Sequence, residues 1–202
     1  PHFLFNSLNA GAQLAMMEDA EQTGIFVEKM ADFFRYNVKK GQEDATLGEE
    51  LESVDNYIYI LNVRFAGDIH FSKYADESLE HVRVPSMILQ PIVENAVNHG
   101  IRDIEWEGRI HLTVTGDADY IRISVKDNGK GMTQEQIESV LSGNKEYGKE
   151  ESDSTGIGMN NVISRLELYY EEKGLVEISS EGEGKGTEVV VYIPVNYSNS
   201  RK

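Results

Sequence analysis

The sequence predicts an α+β protein, with a helical segment over residues 1–66 followed by an α/β sandwich over residues 67–202. Three observations carry the prediction. Apolar residues recur at steps of three and four as far as Phe65, the period shortens to two in several later runs, and those runs alternate with stretches at helical spacing. Strands gathered in one sheet can then be covered by helices on one face.

Taken in order, Leu4, Leu8 and Ala15 share one side of a helix over residues 1–17, with Pro1 tolerable at its start. His2 and Asn6 are four apart and point the same way. After a polar break from Glu18 to Gly24, Phe26, Met30, Phe33, Phe34 and Val38 mark a second helix that stops near Gly41. Two short apolar helices cannot bury themselves, so this aromatic stripe is read as a dimer seam. Thr46-Leu47-Gly48-Glu49 has capping-box spacing and opens a third helix with Leu47, Leu51, Val54, Ile58, Leu61 and Phe65 in one stripe.

Residues 69–74 and 81–84 then read as strands, Pro85 breaks the second, and Ser86 is expected to cap a helix running to His99. Residues 109–115 and 120–126 alternate and form an antiparallel hairpin through Gly116-Asp117. A helix over Gln134–Ser142 precedes the polar stretch 143–155, which has few apolar anchors and is expected to be mobile. A helix from Gly158 to Glu172, strands over 175–180 and 187–193, and a frayed tail from Asn196 complete the reading.

Composition narrows the partners. With 35 acidic and 19 basic residues the formal charge is −16, which repels phosphate backbones and argues against nucleic acid. The same field repels nucleotides, so a nucleotide site needs local amides, a helix N-terminus and a divalent cation. There is no cysteine, hence no disulfide or thiolate metal site, and no apolar run long enough to span a bilayer. The chain opens on Pro1-His2 without an initiator methionine, as expected of a piece whose upstream portion lies elsewhere.

Four stretches stand out for chemistry. The first is Asp127-Asn128-Gly129-Lys130-Gly131-Met132, where a carboxylate at a strand end can accept from an exocyclic amine and two glycines let bare backbone approach a flat ring such as adenine. The others are Gln90-Pro91-Ile92-Val93-Glu94-Asn95-Ala96-Val97-Asn98-His99-Gly100, Ser154-Thr155-Gly156-Ile157-Gly158-Met159-Asn160-Asn161 and Gly182-Glu183-Gly184-Lys185-Gly186-Thr187. In this order they resemble the N, G1, G2 and G3 boxes of the GHKL (Bergerat) superfamily of ATP-binding proteins, which includes histidine kinases, gyrase, mismatch-repair ATPases and some chaperones. Ahead of them, Pro1-His2-Phe3-Leu4-Phe5-Asn6-Ser7-Leu8-Asn9 resembles the phosphoacceptor box of LytS-type sensor histidine kinases, and Arg35-Tyr36 and Arg64-Phe65 also fit that family's pattern.

The resemblance implies a helical dimerisation and phosphoacceptor segment over 1–66 and a GHKL ATP-binding domain over 67–202. It also implies ATP and Mg2+ as cofactors, a homodimer, a response regulator receiver domain as partner, and a cytoplasmic location attached to the membrane only through upstream segments. By resemblance Asn95 is the magnesium ligand, and magnesium keeps several waters, so one amide oxygen with phosphate oxygens is a reasonable shell. Asn98 and His99, at i+3 and i+4 from Asn95, are expected on the same face. Gly156, Ile157 and Gly158 precede a helix whose free amides suit phosphate, and residues 133–155 become a lid with Lys145 and Lys149 as candidate phosphate contacts. Asp127, Gly129, Gly131 and Met132 would line the adenine pocket, supported by the hydroxyl of Thr187.

His2 is the candidate nucleophile, since a neutral imidazole can attack a γ-phosphoryl in line. Phe3 follows it, so the acidic neighbour that serves some kinases as a base is missing, and Glu94 is the nearest motif carboxylate. Whether Glu94 reaches the chemistry or braces the lid stays open. Gyrase-like ATPases carry a water-activating acid at the position held here by Pro91. Asn6 either solvates its helix or places a water against a phosphorylated partner. The expected activity is ATP-dependent protein histidine kinase; an ATP-hydrolysing switch or a non-catalytic nucleotide-binding dimer is the alternative.

Overall fold

The computed structural model describes Ser7, Ala10, Gly11, Leu14, Met17 and residues 20–39, 44–65, 67–102, 104–143 and 154–195, with the side chains of 20, 39 and 154–157 left aside. His2, Asn6, Lys145 and Lys149 lie outside this set, as do residues 144–153 of the expected lid.

Helix α1 (Ala20–Lys39) packs on α2 (Leu47–Arg64). The expected break at Glu18–Gly24 is helical from Ala20, because Glu21, Gln22 and Gly24 form its exposed side. Phe26, Met30 and Phe33 are buried, and the Phe33 ring stacks on Tyr57 at 5.8 Å. Within the stripe expected as a dimer seam, Phe26, Met30 and Phe33 are therefore core within one chain, because α2 supplies their partner face, whereas Phe34 is half-buried and Val38 is exposed. The capping box of α2 forms as predicted: Glu49 N–H donates to Thr46 Oγ1 at 3.2 Å and Thr46 N–H to Glu49 Oε2 at 2.8 Å. Thr46 also ends strand β1 (Asp44–Thr46), which pairs antiparallel with β3 (Arg83–Pro85). Three residues of mixed polarity carry no period, so β1 was not predicted.

Five strands form the main sheet: β2 (Ile69–Ala75), β4 (Gly108–Gly116), β5 (Tyr120–Asp127), β6 (Val176–Ser179) and β7 (Glu188–Pro194), ordered β2-β4-β5-β7-β6. All neighbours run antiparallel except β2 and β4, whose parallel pairing requires the intervening crossover. Asp117 Oδ1 accepts the N–H groups of Asp119 and Tyr120 and closes the β4–β5 turn. Ile110, Leu112, Val114, Ile121, Ile123, Val125, Val189, Val191 and Ile193 form the buried face, while Arg109, His111, Thr115 and Lys126 face solvent. Each fully buried aliphatic side chain contributes about 1.5–3 kcal/mol.

Helix α3 (Leu89–Asn95) lies between α2 and α5 (Ser154–Tyr170), and α4 (Gln134–Ser142) packs on α5. Three expectations are corrected here. Ser86 does not cap α3, whose N-cap is Ile88 without a side-chain hydrogen bond, and the helix does not run on as α to His99. It ends at Asn95 and continues as a π-helix over Ala96–Ile101. Helix α5 begins at Ser154, so Gly156 and Gly158 fall inside its first turns rather than ahead of it. Its end at Tyr170 is followed by Glu171 at φ 55. Among the described residues no helix is long and apolar enough to cross a membrane.

Candidate active site

The site is assembled where three chain segments meet at the end of β5. Asp127 continues the buried parity of Ile121, Ile123 and Val125, so its carboxylate points into the core end of the sheet and is 6% exposed. Oδ1 accepts from the N–H of Gly129 at 2.8 Å and of Thr187 at 3.3 Å, while Asp127 N–H donates to the Thr187 carbonyl at 2.9 Å. Oδ2 takes neither of these bonds. Burial pushes the Asp127 carboxyl above the usual carboxylate range, opposed by those two amides.

The glycines serve the protein's own backbone. A Cβ at Gly129 would lie 2.1 Å from the Gly100 carbonyl oxygen, and one at Gly131, where φ is +72, 2.1 Å from that of Gly182. Lys130 N–H donates to the Gly100 carbonyl at 3.0 Å, and Gly186 N–H to that of Gly129 at 3.0 Å. The motif turn is thus clamped between the end of the π-helix and the glycine-rich 182–186 loop. Ser180 completes the clamp, accepting from Met132 N–H at 3.0 Å and donating to the Gly186 carbonyl at 2.6 Å. Asn128 extends the β4–β5 ladder with its side chain, bonding Arg109 N–H and the Glu107 carbonyl. Thr187 meets Asp127 through its backbone N–H and carbonyl.

On the adjoining helix Asn95 is half-buried, and its Nδ2 is buried without a hydrogen-bond partner. A half-turn of the amide exchanges nitrogen for oxygen, so this end can present an oxygen to a cation. Among the described residues no group of three or more His, Cys, Asp or Glu side chains is placed to hold a metal, so a cation here would take the rest of its shell from phosphate and water. The unsatisfied amide, the inward Asp127 and the first-turn amides of α5 at Gly156 and Ile157 fit Mg-ATP.

The π-helix carries His99 half-buried but leaves Asn98 exposed, so the common face expected for Asn95, Asn98 and His99 is not kept. The wider turn changes which residues stack. Burial, then Lys130 and Arg102, lower the His99 pKa, which favours the neutral ring. Burial raises the Glu94 pKa, and Gln90 Nε2 donates to its Oε1 at 2.8 Å.

Sequence reasoning missed Ser180, Asn128, Gln90 and Glu50. A signal existed for Glu50, which sits between Leu47 and Val54 in the apolar stripe of α2 and is 1% exposed.

A mixed sheet roofed by helices, with this clamped turn at the end of a central strand, defines an α/β sandwich of the histidine kinase catalytic-domain kind. The chain resembles the catalytic domain of histidine kinase ThkA with a TM-score of 0.53 at 21% identity, over 76% of this chain and 98% of that one. It resembles the histidine kinase domain of the Erythrobacter litoralis blue-light activated histidine kinase with a TM-score of 0.52 at 18% identity, over 98% and 94%. In sequence it is 34% identical to sensor histidine kinase YpdA of Escherichia coli K12 and 31% identical to sensor protein LytS of Streptococcus agalactiae, over 96% of this chain and 32% of each relative. The chain thus spans about a third of the length of these relatives. Residues 83–197 match the histidine kinase-, DNA gyrase B- and HSP90-like ATPase family, to which the chain belongs, and residues 1–69 match the histidine kinase family.

Proposed function

We propose that this chain is the kinase core of a two-component sensor, which binds Mg-ATP, phosphorylates His2 and passes the phosphoryl group to an aspartate of a response regulator. Residues 1–66 would serve as the dimerisation and phosphoacceptor unit of a homodimer, and residues 67–202 as the ATP-binding domain. The chain would be the cytoplasmic portion of a plasma-membrane sensor. The observation that carries the reading is the buried Asp127, held through one oxygen by Gly129 and Thr187 so that the other is offered at a rigid strand end.

Magnesium, when bound, would neutralise phosphate charge. Asn95 would give it one amide oxygen, and the amides of Gly156 and Ile157 would orient the phosphates. Gly129, Gly131 and Met132 would border the adenine pocket. His99, neutral through burial, offers hydrogen bonds rather than charge, and the exposed Asn98 would approach the phosphates from solvent.

His2 would attack the γ-phosphorus with a ring nitrogen; the N–P bond forms as the P–O bond to ADP breaks, and the proton on the other ring nitrogen leaves. Glu94, whose pKa burial raises, would as the carboxylate take up that proton, or would brace the lid. The N–P bond then breaks as a receiver aspartate oxygen takes the phosphoryl group. Asn6, four positions after His2, would place a water whose oxygen bonds to phosphorus as the aspartyl O–P bond breaks, releasing inorganic phosphate. Pro91 leaves the water-activating position without a carboxylate, which favours transfer over hydrolysis.

Calorimetry with Mg-ATP tests the assignment. Asp127→Asn keeps an acceptor for Gly129 and Thr187 but loses the charged one, so binding should weaken at least about tenfold. The melting temperature should hold or rise. Equal affinity in mutant and wild type would remove Asp127 from the site.

A further inference from the structure

The segment that feeds the Asn95 helix is gripped from three other helices. Glu50 of α2, 1% exposed, accepts the N–H groups of Met87 at 2.6 Å, Ile88 at 2.9 Å and Leu89 at 2.8 Å. Those of Ile88 and Leu89 are orphan donors at the start of α3, which its own N-cap residue leaves unserved, and Met87 directly precedes them. Tyr36 of α1 donates its hydroxyl to Glu50 Oε1, the oxygen that also takes Met87 N–H. Arg165 of α5 donates to the Ser86 carbonyl. Met87 is held at φ 62, a conformation that a residue with a side chain adopts only when its surroundings impose it. Further along α3, Ser53 donates to Gln90 at 3.4 Å and Gln90 to Glu94 at 2.8 Å, so the contacts reach the residue beside Asn95.

We infer that Tyr36 and Glu50 are positioning residues for the nucleotide site: through the shared carboxylate they fix the start of α3, and with it the placement of Asn95. The inference rests on the Mg-ATP reading of that site. A buried carboxylate that satisfies three amides of another helix sets that helix's position along its axis, and the Tyr36 hydroxyl makes the setting depend on α1. Helix α1 is next in sequence after the segment carrying His2, and through Tyr36 it meets the start of the Asn95 helix at one side chain, Glu50.

The test measures binding of trinitrophenyl-ATP to the 202-residue chain with magnesium and with a chelator, and reads the ratio of the two dissociation constants. Tyr36→Phe should lower the magnesium-dependent gain about fivefold to tenfold, the loss of one charge-assisted hydrogen bond. Affinity in chelator should change less than about twofold in the same variant, since adenine is held elsewhere. Glu50→Asp, which keeps the charge but shortens its reach, should move the ratio in the same direction and is read alone if Tyr36→Phe does not fold. An unchanged ratio overturns the inference, as does equal weakening with and without magnesium, because the pair would then act on the fold alone. Loss of the fold in both variants overturns it on the same ground. A wild type that binds no nucleotide fails the proposed function itself, and one indifferent to magnesium fails the Asn95 assignment; either removes the inference as well.

Discussion

At the scale of single residues, Asp127 carries two opposed effects that one pH series can separate. Burial raises its folded pKa, so the native state holds the proton more tightly than the unfolded chain. Its contribution to stability is therefore fully present below the unfolded value of about 3.9 and is lost as pH rises through the folded one. Ligand affinity should run the other way, since the charged form is the better acceptor. Mg-ATP binding should weaken on acidification from a pH above about 3.9, before an ordinary carboxylate would protonate. Affinity that stays flat until the fold is lost would contradict the assignment. The glycines were legible as a motif but for a different physical reason. The sequence suggested close approach to a ligand ring, whereas the Gly100 carbonyl fills the space beside Gly129. Gly129→Ala should consequently cost at least about 2 kcal/mol, in the upper part of the usual range of about 1–3 kcal/mol for overpacking. Chemical denaturation checks this, and a cost below about 0.5 kcal/mol, typical of free surface, would show that the clamp is not tight.

At the scale of elements, legibility followed the range of the forces involved. The capping box of α2, the β4–β5 hairpin and the extent of α4 were readable because each is fixed by residues within a few positions of one another. The start of α3 was not, since the carboxylate that serves its first amides is 37 to 39 positions upstream. The passage from α to π geometry after Asn95 leaves no trace in apolar spacing, and it removed Asn98 from the face predicted for it. For α1 the periodicity was right and its partner wrong, because spacing shows that a stripe is buried but not against what. Phe33, 3% exposed and stacked on Tyr57, supplies the check. Phe33→Ala should destabilise by roughly 3–5 kcal/mol, as for a buried aromatic side chain. That loss should be the same at low and high protein concentration; a loss that grows on dilution would restore the seam between two copies.

At the scale of the whole molecule, under the proposed function a chain of charge −16 would have to gather a polyanion against its own field. The parts that suit this are local: the unsatisfied amide of Asn95, the first turn of α5 and a neutral His99. His2 and Asn6 enter through sequence alone, since they lie outside the described residues, yet the proposed chemistry needs the acceptor and the nucleotide site in one assembly. Labelling with γ-32P-ATP and magnesium tests that requirement directly. Wild-type protein should take up label that is lost in acid and kept in base, the behaviour of a phosphoramidate on an imidazole, and His2→Gln should take up none. Label stable in acid, label persisting in His2→Gln, or release of inorganic phosphate with no labelled protein would contradict a histidine kinase core.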